Sequence, residues 1–130
     1  MPNPPIGLIG CGLLGSALAE RMLVAGLPIV GYDRDPAAQD RLVQLGGLSA
    51  SAAVDVAQRF QTLVFCLPDS RVVASVIDEL GDKLSSGALV IDATTGDPDA
   101  TAALAKRLAG RGIDYVDATI AGSSDQVRRG

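Results

Sequence analysis

A short apolar run followed at once by a glycine-rich turn is the feature that most restricts the fold of this chain. Residues 6–9 have the character of a buried strand, and they lead directly into the sequence GCGLLG at residues 10–15, which opens a helical pattern. In a G-x-G-x-x-G turn, Gly10 permits the tight turn, Gly12 lets a ligand approach the bare backbone, and Gly15 lets the helix pack closely on the strand. The arrangement predicts a strand–turn–helix unit that binds a dinucleotide, with the phosphates at the N-terminus of the helix.

A second apolar run, residues 28–32, ends on Asp33, where units of this kind have a ribose-binding carboxylate. Because a carboxylate there repels the 2′-phosphate of NADP, it favours NAD as the cofactor. The neighbouring Arg34 leaves NADP as an alternative cofactor, since a guanidinium pairs with phosphate or stacks on adenine. The other interpretation of Arg34 is a surface residue paired with Asp35. The alternative to the whole motif is a glycine turn and a helix-capping aspartate without a ligand.

The rest of the chain alternates apolar, strand-like runs with helical patterns. Strands are predicted at residues 6–9, 28–32, 62–66, 88–91 and 113–116, with a short edge strand at 47–50. Helices are predicted at residues 13–25, 36–45, 51–58, 73–80 and from 98 to beyond 108. Asp35 and Asp97, each followed by a proline, are the predicted caps of the second and the last of them. Strands separated by such helices imply right-handed crossovers and a parallel sheet covered on both faces. The predicted fold class is therefore α/β, a Rossmann-type doubly wound parallel sheet, in one domain over residues 1–130.

The charge and hydropathy of the chain argue against several classes of partner. Hydrophobic residues make up 48% of the chain and charged residues 20%, as in globular proteins. The 11 basic and 15 acidic residues give a net charge of −4, and the basic ones are scattered, so neither nucleic acid nor an anionic membrane is an expected partner. No apolar run reaches the roughly 18 residues that span a bilayer, and residues 1–5 lack the basic region of a signal peptide. The expected location is cytoplasmic.

The two cysteines, Cys11 and Cys66, are too few for a disulfide framework, and without any histidine they do not predict a metal site. Both follow strands that would be neighbours in a doubly wound sheet, so they are expected to lie near each other. The favoured interpretation is that they are small buried residues that line the turns.

Three motifs at the predicted carboxyl edge of the sheet point to a known family. Residues 7–16, GLIGCGLLGS, are similar to a G-x-I-G-x-G-x-M-G opening, with Leu14 in place of the usual Met. Residues 66–69, CLPD, are similar to the loop of that family after the fourth strand. Residues 92–98, DATTGDP, are similar to its D-x-S-T-x-x-P motif. In this order and spacing, they resemble the β-hydroxyacid dehydrogenase family, which includes 3-hydroxyisobutyrate, tartronate semialdehyde and 6-phosphogluconate dehydrogenases.

The resemblance implies the N-terminal NAD(P)-binding domain of an oxidoreductase, which transfers a hydride between a nicotinamide cofactor and a small 3-hydroxy acid or its carbonyl counterpart. In the full-length protein it implies a helical C-terminal domain and a homo-oligomer. The cofactor-binding residues that it implies, of which the last two approach the nicotinamide, are Gly10, Cys11, Gly12, Leu13, Leu14, Gly15, Asp33, Arg34, Cys66, Leu67, Pro68, Thr94 and Thr95.

Residues 117–130, DATIAGSSDQVRRG, align with the substrate-binding stretch of the family, usually D-A-P-V-S-G-G. Thr119 replaces the usual Pro, Ala121 the usual Ser, and Ser123 the second Gly. In the family the serine hydroxyl and the glycine amides hold a substrate carboxylate. Because Ala121 has no hydroxyl, Gly122 and Ser123 would have to supply the contact, which leaves the substrate open. The alternative is a loop without a ligand role.

The proton acceptor of the family is a lysine after the glycine-rich segment, and we expect it beyond residue 130. Lys83 and Lys106 are the only lysines of the chain, and both are expected to be solvated surface charges. The chain alone is therefore expected to be inactive. A stand-alone NAD(H)-binding regulatory domain is the alternative from another functional class, and the imine-reductase branch of the same superfamily is a third possibility.

Overall fold

A single parallel sheet of six strands organises the computed structural model, which describes residues 3–130. The strands are β1 (Ile6–Ile9), β2 (Ile29–Tyr32), β3 (Leu48–Ser49), β4 (Thr62–Phe65), β5 (Leu89–Asp92) and β6 (Asp114–Asp117). Their order across the sheet is β3-β2-β1-β4-β5-β6, and all neighbours pair in parallel. This order reverses direction between β1 and β4, as in a doubly wound Rossmann sheet. The predicted fold class is confirmed.

Helices cover both faces of the sheet. They are α1 (Leu13–Val24), α2 (Pro36–Gln44), α3 (Ala53–Arg59), α4 (Ser70–Leu80), α5 (Pro98–Ala109) and α6 (Ser124–Arg129), and a 3₁₀ turn, Gly81–Lys83, follows α4. No helix within residues 3–130 combines the length and the apolar character that crossing a membrane requires.

The alternation of side chains along the strands divides the apolar core in two. Leu8 of β1 and Val64 of β4 pack with residues of α1 and α2 on one face. Their neighbours Ile9 and Phe65 pack on the opposite face, with residues of α3, α4 and α5. Because successive side chains of a strand point to opposite faces, strands covered on both sides must be apolar throughout, which is why these runs were recognisable in the sequence.

Aspartates begin three of the helices. Asp35 accepts a hydrogen bond from Ala37 N (3.0 Å) before α2, Asp69 from Val72 N (3.0 Å) before α4, and Asp97 from Ala100 N (2.9 Å) before α5. A proline occupies the first turn of α2 and of α5, where its missing N–H costs nothing. The predicted caps Asp35 and Asp97 are confirmed, and each cap holds its helix at the carboxyl edge of the sheet.

The structure differs from the sequence-based expectation in the bounds of several elements, by up to three residues, and in one helix; α4, for example, begins at Ser70 and not at residue 73. Asp92, which lies outside the predicted strand 88–91, is the last residue of β5 and pairs with Asp117 of β6. Helix α6 was not predicted. Its signal was present, because Ser123 and Gln126 form a capping box in which each side chain bonds the backbone N–H of the other.

Candidate functional site

A cleft of about 1040 Å³ opens at the carboxyl edge of the sheet. The loops that follow β1, β2, β4 and β5 line it, together with one flank of α4. The structure thus brings together all but one of the predicted cofactor-binding residues, namely Gly10, Gly12, Leu13, Leu14, Gly15, Asp33, Arg34, Cys66, Leu67, Pro68, Thr94 and Thr95. The exception is Cys11, which is buried beneath the turn.

The three positions of the turn that hold glycine differ in whether the structure could accept a side chain there. Gly10 has a φ of +100°, and a Cβ there would overlap the carbonyl oxygen of Cys66. A Cβ on Gly15 would overlap the carbonyl oxygen of Gly10. A Cβ on Gly12, by contrast, would meet no protein atom within 4 Å. The protein's own packing therefore requires Gly10 and Gly15, whereas the space beside Gly12 in the cleft is open.

The N-terminus of α1 forms the floor of the cleft beside Gly12. Gly12 is the N-cap and supplies no side-chain hydrogen bond, and the first turn contains no acidic residue. The first hydrogen bond of the helix runs from Ser16 N to Gly12 O (2.8 Å), which leaves the earlier amides of the turn without an intrahelical acceptor. These amides and the positive end of the helix dipole make this position favourable for an anion.

Asp33 connects the end of β2 to the glycine turn. Its Oδ2 accepts a hydrogen bond from Cys11 N (2.7 Å), and its Oδ1 accepts one from Asp35 N (2.8 Å). A carboxylate has about four acceptor positions, so each oxygen can still accept a bond from a ribose hydroxyl. Asp33 thus holds the turn in place and also faces the cleft.

Arg34 lies beside Asp33 and is exposed. The ion pairs within residues 3–130 do not include it, so the alternative of a pair with Asp35 finds no support. Its guanidinium remains available at the end of the cleft where β2 stops.

The loops after β4 and β5 form the opposite end of the cleft. Leu67 N donates a hydrogen bond to Thr94 Oγ1 (2.9 Å), so the hydroxyl of Thr94 connects the two loops. Thr94 is only 4% exposed, whereas Thr95 is exposed. Of these two predicted residues, Thr95 therefore has the more accessible hydroxyl.

The two cysteines behave as protonated thiols. Burial, reinforced by the negative charge of Asp33, raises the pKa of Cys11 to about 12, and its Sγ donates to Tyr32 O at 3.6 Å. Burial, with a contribution from Asp92, raises the pKa of Cys66 to about 11. Both thiols are free, and the proximity of Cys66 adds to the raised pKa of Cys11, as expected of groups at adjacent turns. Neither pKa favours a reactive thiolate at neutral pH.

One flank of α4 forms a wall of the cleft that the sequence analysis missed. It consists of Arg71, Val72, Ser75, Val76 and Glu79. Their spacing of four residues, 71-75-79 and 72-76, places them on one face of α4, but the predicted helix began only at residue 73. That they face the cleft depends on how α4 packs against the sheet, which the spacing alone did not indicate.

The predicted substrate-binding residues Ala121, Gly122 and Ser123 are exposed and lie outside the lining of the cleft. Ser123 uses its polar groups to begin α6: its Oγ accepts from Gln126 N (3.2 Å), and its N–H donates to Gln126 Oε1 (2.7 Å). The structure therefore places these three residues outside the cleft, although the hydroxyl of Thr119, just before them, lies 3.2 Å from the carbonyl oxygen of Thr94.

Lys83 and Lys106 are both exposed, which confirms them as surface charges, and neither lines the cleft. Within residues 3–130, no three histidine, cysteine or acidic side chains are grouped in a way that could hold a metal ion.

Comparison with known proteins agrees with this geometry. A family model, the NAD-binding domain of 6-phosphogluconate dehydrogenase, matches residues 5–130. The chain belongs to this family. Among the relatives of this NAD-binding domain is the mitochondrial 3-hydroxyisobutyrate dehydrogenase of Rattus norvegicus, which is 31% identical over 97% of the chain.

Solved structures share the fold of the domain. A 3-hydroxyisobutyrate dehydrogenase of Mycobacterium tuberculosis, in a structure with L-serine, has a TM-score of 0.93 over 98% of this chain and is 19% identical. An imine reductase from Myxococcus stipitatus in complex with NADP⁺ has a TM-score of 0.86 over 94% and is 26% identical. This NAD-binding domain spans 38% of the length of the rat enzyme, and 44% and 43% of the two solved chains.

Proposed function

We propose that this NAD-binding domain holds a nicotinamide dinucleotide in the cleft, as part of an oxidoreductase that acts on a small 3-hydroxy acid or its carbonyl counterpart. The observation that supports this most directly is the open space at Gly12, next to the uncapped N-terminus of α1. The packing of the protein does not require glycine at residue 12, and the amides beside it lack intrahelical acceptors. Both features fit a bound pyrophosphate.

The strand order suggests the direction in which the dinucleotide lies. Asp33 follows β2, the glycine turn follows β1, and Thr95 lies in the loop after β5. With the pyrophosphate at the turn and the adenosine ribose at Asp33, the nicotinamide extends toward the loops after β4 and β5. We therefore assign Leu67, Pro68 and Thr95 to the nicotinamide end, and Asp33 and Arg34 to the adenosine end.

The cofactor choice that we propose is NAD, with NADP as a second cofactor. The carboxylate of Asp33 disfavours a 2′-phosphate, while the exposed guanidinium of Arg34 favours one. The amides of Cys11 and Asp35 hold the carboxylate at the end of β2, so a phosphate at the ribose would meet its charge.

When bound, the dinucleotide supplies the nicotinamide that accepts or donates a hydride. The chain's own residues bind and orient it: the first turn of α1 holds the phosphates, and the loops after β4 and β5 shield one side of the ring from water. Removal of the hydroxyl proton requires a base. Since neither lysine of the chain lines the cleft, we assign this role to a lysine of a helical domain outside the 130 residues, and we propose that these residues alone do not turn over substrate.

The substrate class follows from the relatives and from residues 121–123. The rat relative is named for 3-hydroxyisobutyrate, and a comparable small hydroxy acid is the substrate class that we propose. Gly122 and Ser123 would contact its carboxylate only if Ser123 exchanged its capping bonds with Gln126 for the ligand. The longer protein is proposed to be a homo-oligomer, without nucleic acid or membrane partners.

Imine reduction is the second candidate function. It is favoured by Ala121, which lacks the hydroxyl that holds a carboxylate in the dehydrogenases, and by the likeness to the imine reductase from Myxococcus stipitatus. A panel of 3-hydroxy acids and cyclic imines offered to a protein that includes the helical domain separates the two candidates.

Calorimetric titration of the chain with NADH tests the proposal. Gly12→Val should abolish or greatly weaken binding, because the added side chain occupies the space assigned to the pyrophosphate. Gly110→Val is the matched control, since Gly110 ends α5 away from the cleft and its Cβ would make only ordinary contacts, the nearest at 3.5 Å. Equal NADH affinity in the unmodified chain and the Gly12 variant would refute the proposed site.

A further inference from the structure

A buried carboxylate lies just behind the cleft and has no place in the function proposed above. Asp92, the last residue of β5, is 4% exposed. Its Oδ2 accepts a hydrogen bond from the hydroxyl of Tyr115, which lies on the neighbouring strand β6. Its Oδ1 accepts a hydrogen bond from Thr94 N at 2.9 Å. A buried charge is tolerated only with such partners, so both bonds are needed to keep Asp92 in the fold.

Thr94 continues this chain of hydrogen bonds toward the cleft. Its Oγ1 accepts a hydrogen bond from Leu67 N (2.9 Å). Its carbonyl oxygen lies 3.2 Å from the hydroxyl of Thr119, whose single proton is directed to the nearer Asp117 Oδ1 at 2.6 Å. The loops after β4 and β5 are thereby joined at Thr94, and Thr119 of the loop after β6 lies beside it. The neighbouring Thr95, which is exposed and lines the cleft, takes its position from this arrangement.

The hydroxyl of Tyr115 is suited to donate a hydrogen bond to Asp92 over a wide pH range. Burial raises the pKa of its hydroxyl far above the usual value, and the hydrogen bond to Asp92 and the charges of Asp92 and Asp117 add to the shift. The hydroxyl therefore stays protonated throughout the pH range in which proteins are ordinarily studied, and it donates to Asp92 across that range.

We propose that Tyr115, through Asp92 and Thr94, is a positioning residue that holds the nicotinamide end of the cleft in its binding geometry. The inference rests on the proposed binding of a dinucleotide. It predicts that contacts to the two halves of the dinucleotide respond differently to a change at Tyr115. The adenosine end is formed by Asp33 and Arg34, after β2, and no hydrogen bond of the Tyr115 network reaches them. Disturbing Tyr115 should therefore weaken contacts to the nicotinamide half and leave those to the adenosine half unchanged.

Titration with two ligands distinguishes effects on the two halves: NADH contains both, and ADP-ribose lacks the nicotinamide. In calorimetric titrations of the 130-residue chain, Tyr115→Phe should raise the Kd for NADH about tenfold, the equivalent of one hydrogen bond of about 1.4 kcal/mol, and leave the Kd for ADP-ribose within about twofold. The fluorescence of bound NADH, which reports the surroundings of its nicotinamide, should move toward that of free NADH in the same variant.

Thr94 supplies a second test with a conservative rescue. Thr94→Val removes the acceptor for Leu67 N at nearly constant volume and should reproduce the selective loss, whereas Thr94→Ser keeps the hydroxyl and should restore NADH binding. Thr101→Val is the matched control. Thr101 borders the same small cavity, of about 40 Å³, as Asp92 and Tyr115, but its side chain forms no bond in this network.

The outcomes distinguish the two proposals. If the unmodified chain binds neither NADH nor ADP-ribose, the proposed function itself fails. If it binds both, and Tyr115→Phe and Thr94→Val change the two affinities equally or not at all, the positioning role is refuted while the binding site stands. Should Tyr115→Phe fail to fold, as shown by loss of its circular dichroism, the Thr94 pair decides.

Discussion

Replacement of Asp33 by serine should change both the stability of the domain and its choice of cofactor. The carboxylate accepts two amide hydrogen bonds, from Cys11 N at 2.7 Å and from Asp35 N at 2.8 Å. Water can replace the exposed bond to Asp35, but the amide of Cys11, a residue that is fully buried, loses its acceptor. A hydrogen bond to a charged group contributes about 1.5–3 kcal/mol, so the free energy of unfolding should fall by about 2 kcal/mol.

The cofactor effect has a separate origin. Removing the carboxylate removes its repulsion of a 2′-phosphate, while the guanidinium of Arg34 remains. A change of about 1.4 kcal/mol would lower the ratio of the Kd for NADPH to the Kd for NADH about tenfold. NADH itself should bind more weakly, because the ribose hydroxyls lose their acceptor. Urea unfolding measures the first effect, and parallel titrations with NADH and NADPH measure the second.

Asp97→Ser provides the control for these measurements. Asp97 also accepts an amide hydrogen bond, from Ala100 N at 2.9 Å, but it does not line the cleft, and serine is itself a good helix cap. The Kd ratio of this variant should equal that of the unmodified chain. An unchanged ratio in Asp33→Ser would mean that the carboxylate does not face the ribose, and unchanged stability would mean that its two amide bonds contribute little.

Three further outcomes are expected. Ser123→Ala should destabilise α6 by about 1 kcal/mol, visible as faster hydrogen exchange at the Val127 amide, without changing NADH affinity; weaker NADH binding would instead place Ser123 at the ligand. Burial raises the pKa values of Cys11 and Cys66 to about 12 and 11, so iodoacetamide should label the folded chain slowly at pH 8 and faster toward pH 11. The free energy of unfolding should fall above pH 9, because there only the thiols of the unfolded chain ionise. Rapid labelling at pH 7 would contradict this. The chain with NAD and a panel of 3-hydroxy acids should produce no NADH by absorbance, and turnover of roughly 1 per second would require a base within these residues.

The sequence by itself determined the features that depend on local patterns. The glycine turn, the acidic residue after β2 and the alternation of apolar strands with capped helices each follow from neighbouring residues, and together they predicted the parallel sheet and most of the cleft. The prolines after Asp35 and Asp97 marked two helix starts for the same reason. Even α6, which was missed, had a local signal in Ser123 and Gln126.

Only the tertiary structure decided which residues meet. The flank of α4 lines the cleft because of how that helix packs on the sheet, and Asp33 meets the amide of Cys11 because β2 lies beside β1. Tyr115 reaches Asp92 because β5 and β6 are neighbours in a given register. A sequence pattern records which face of an element is apolar, but the contacts between residues more than twenty positions apart depend on strand order and register, which arise only when the whole sheet assembles.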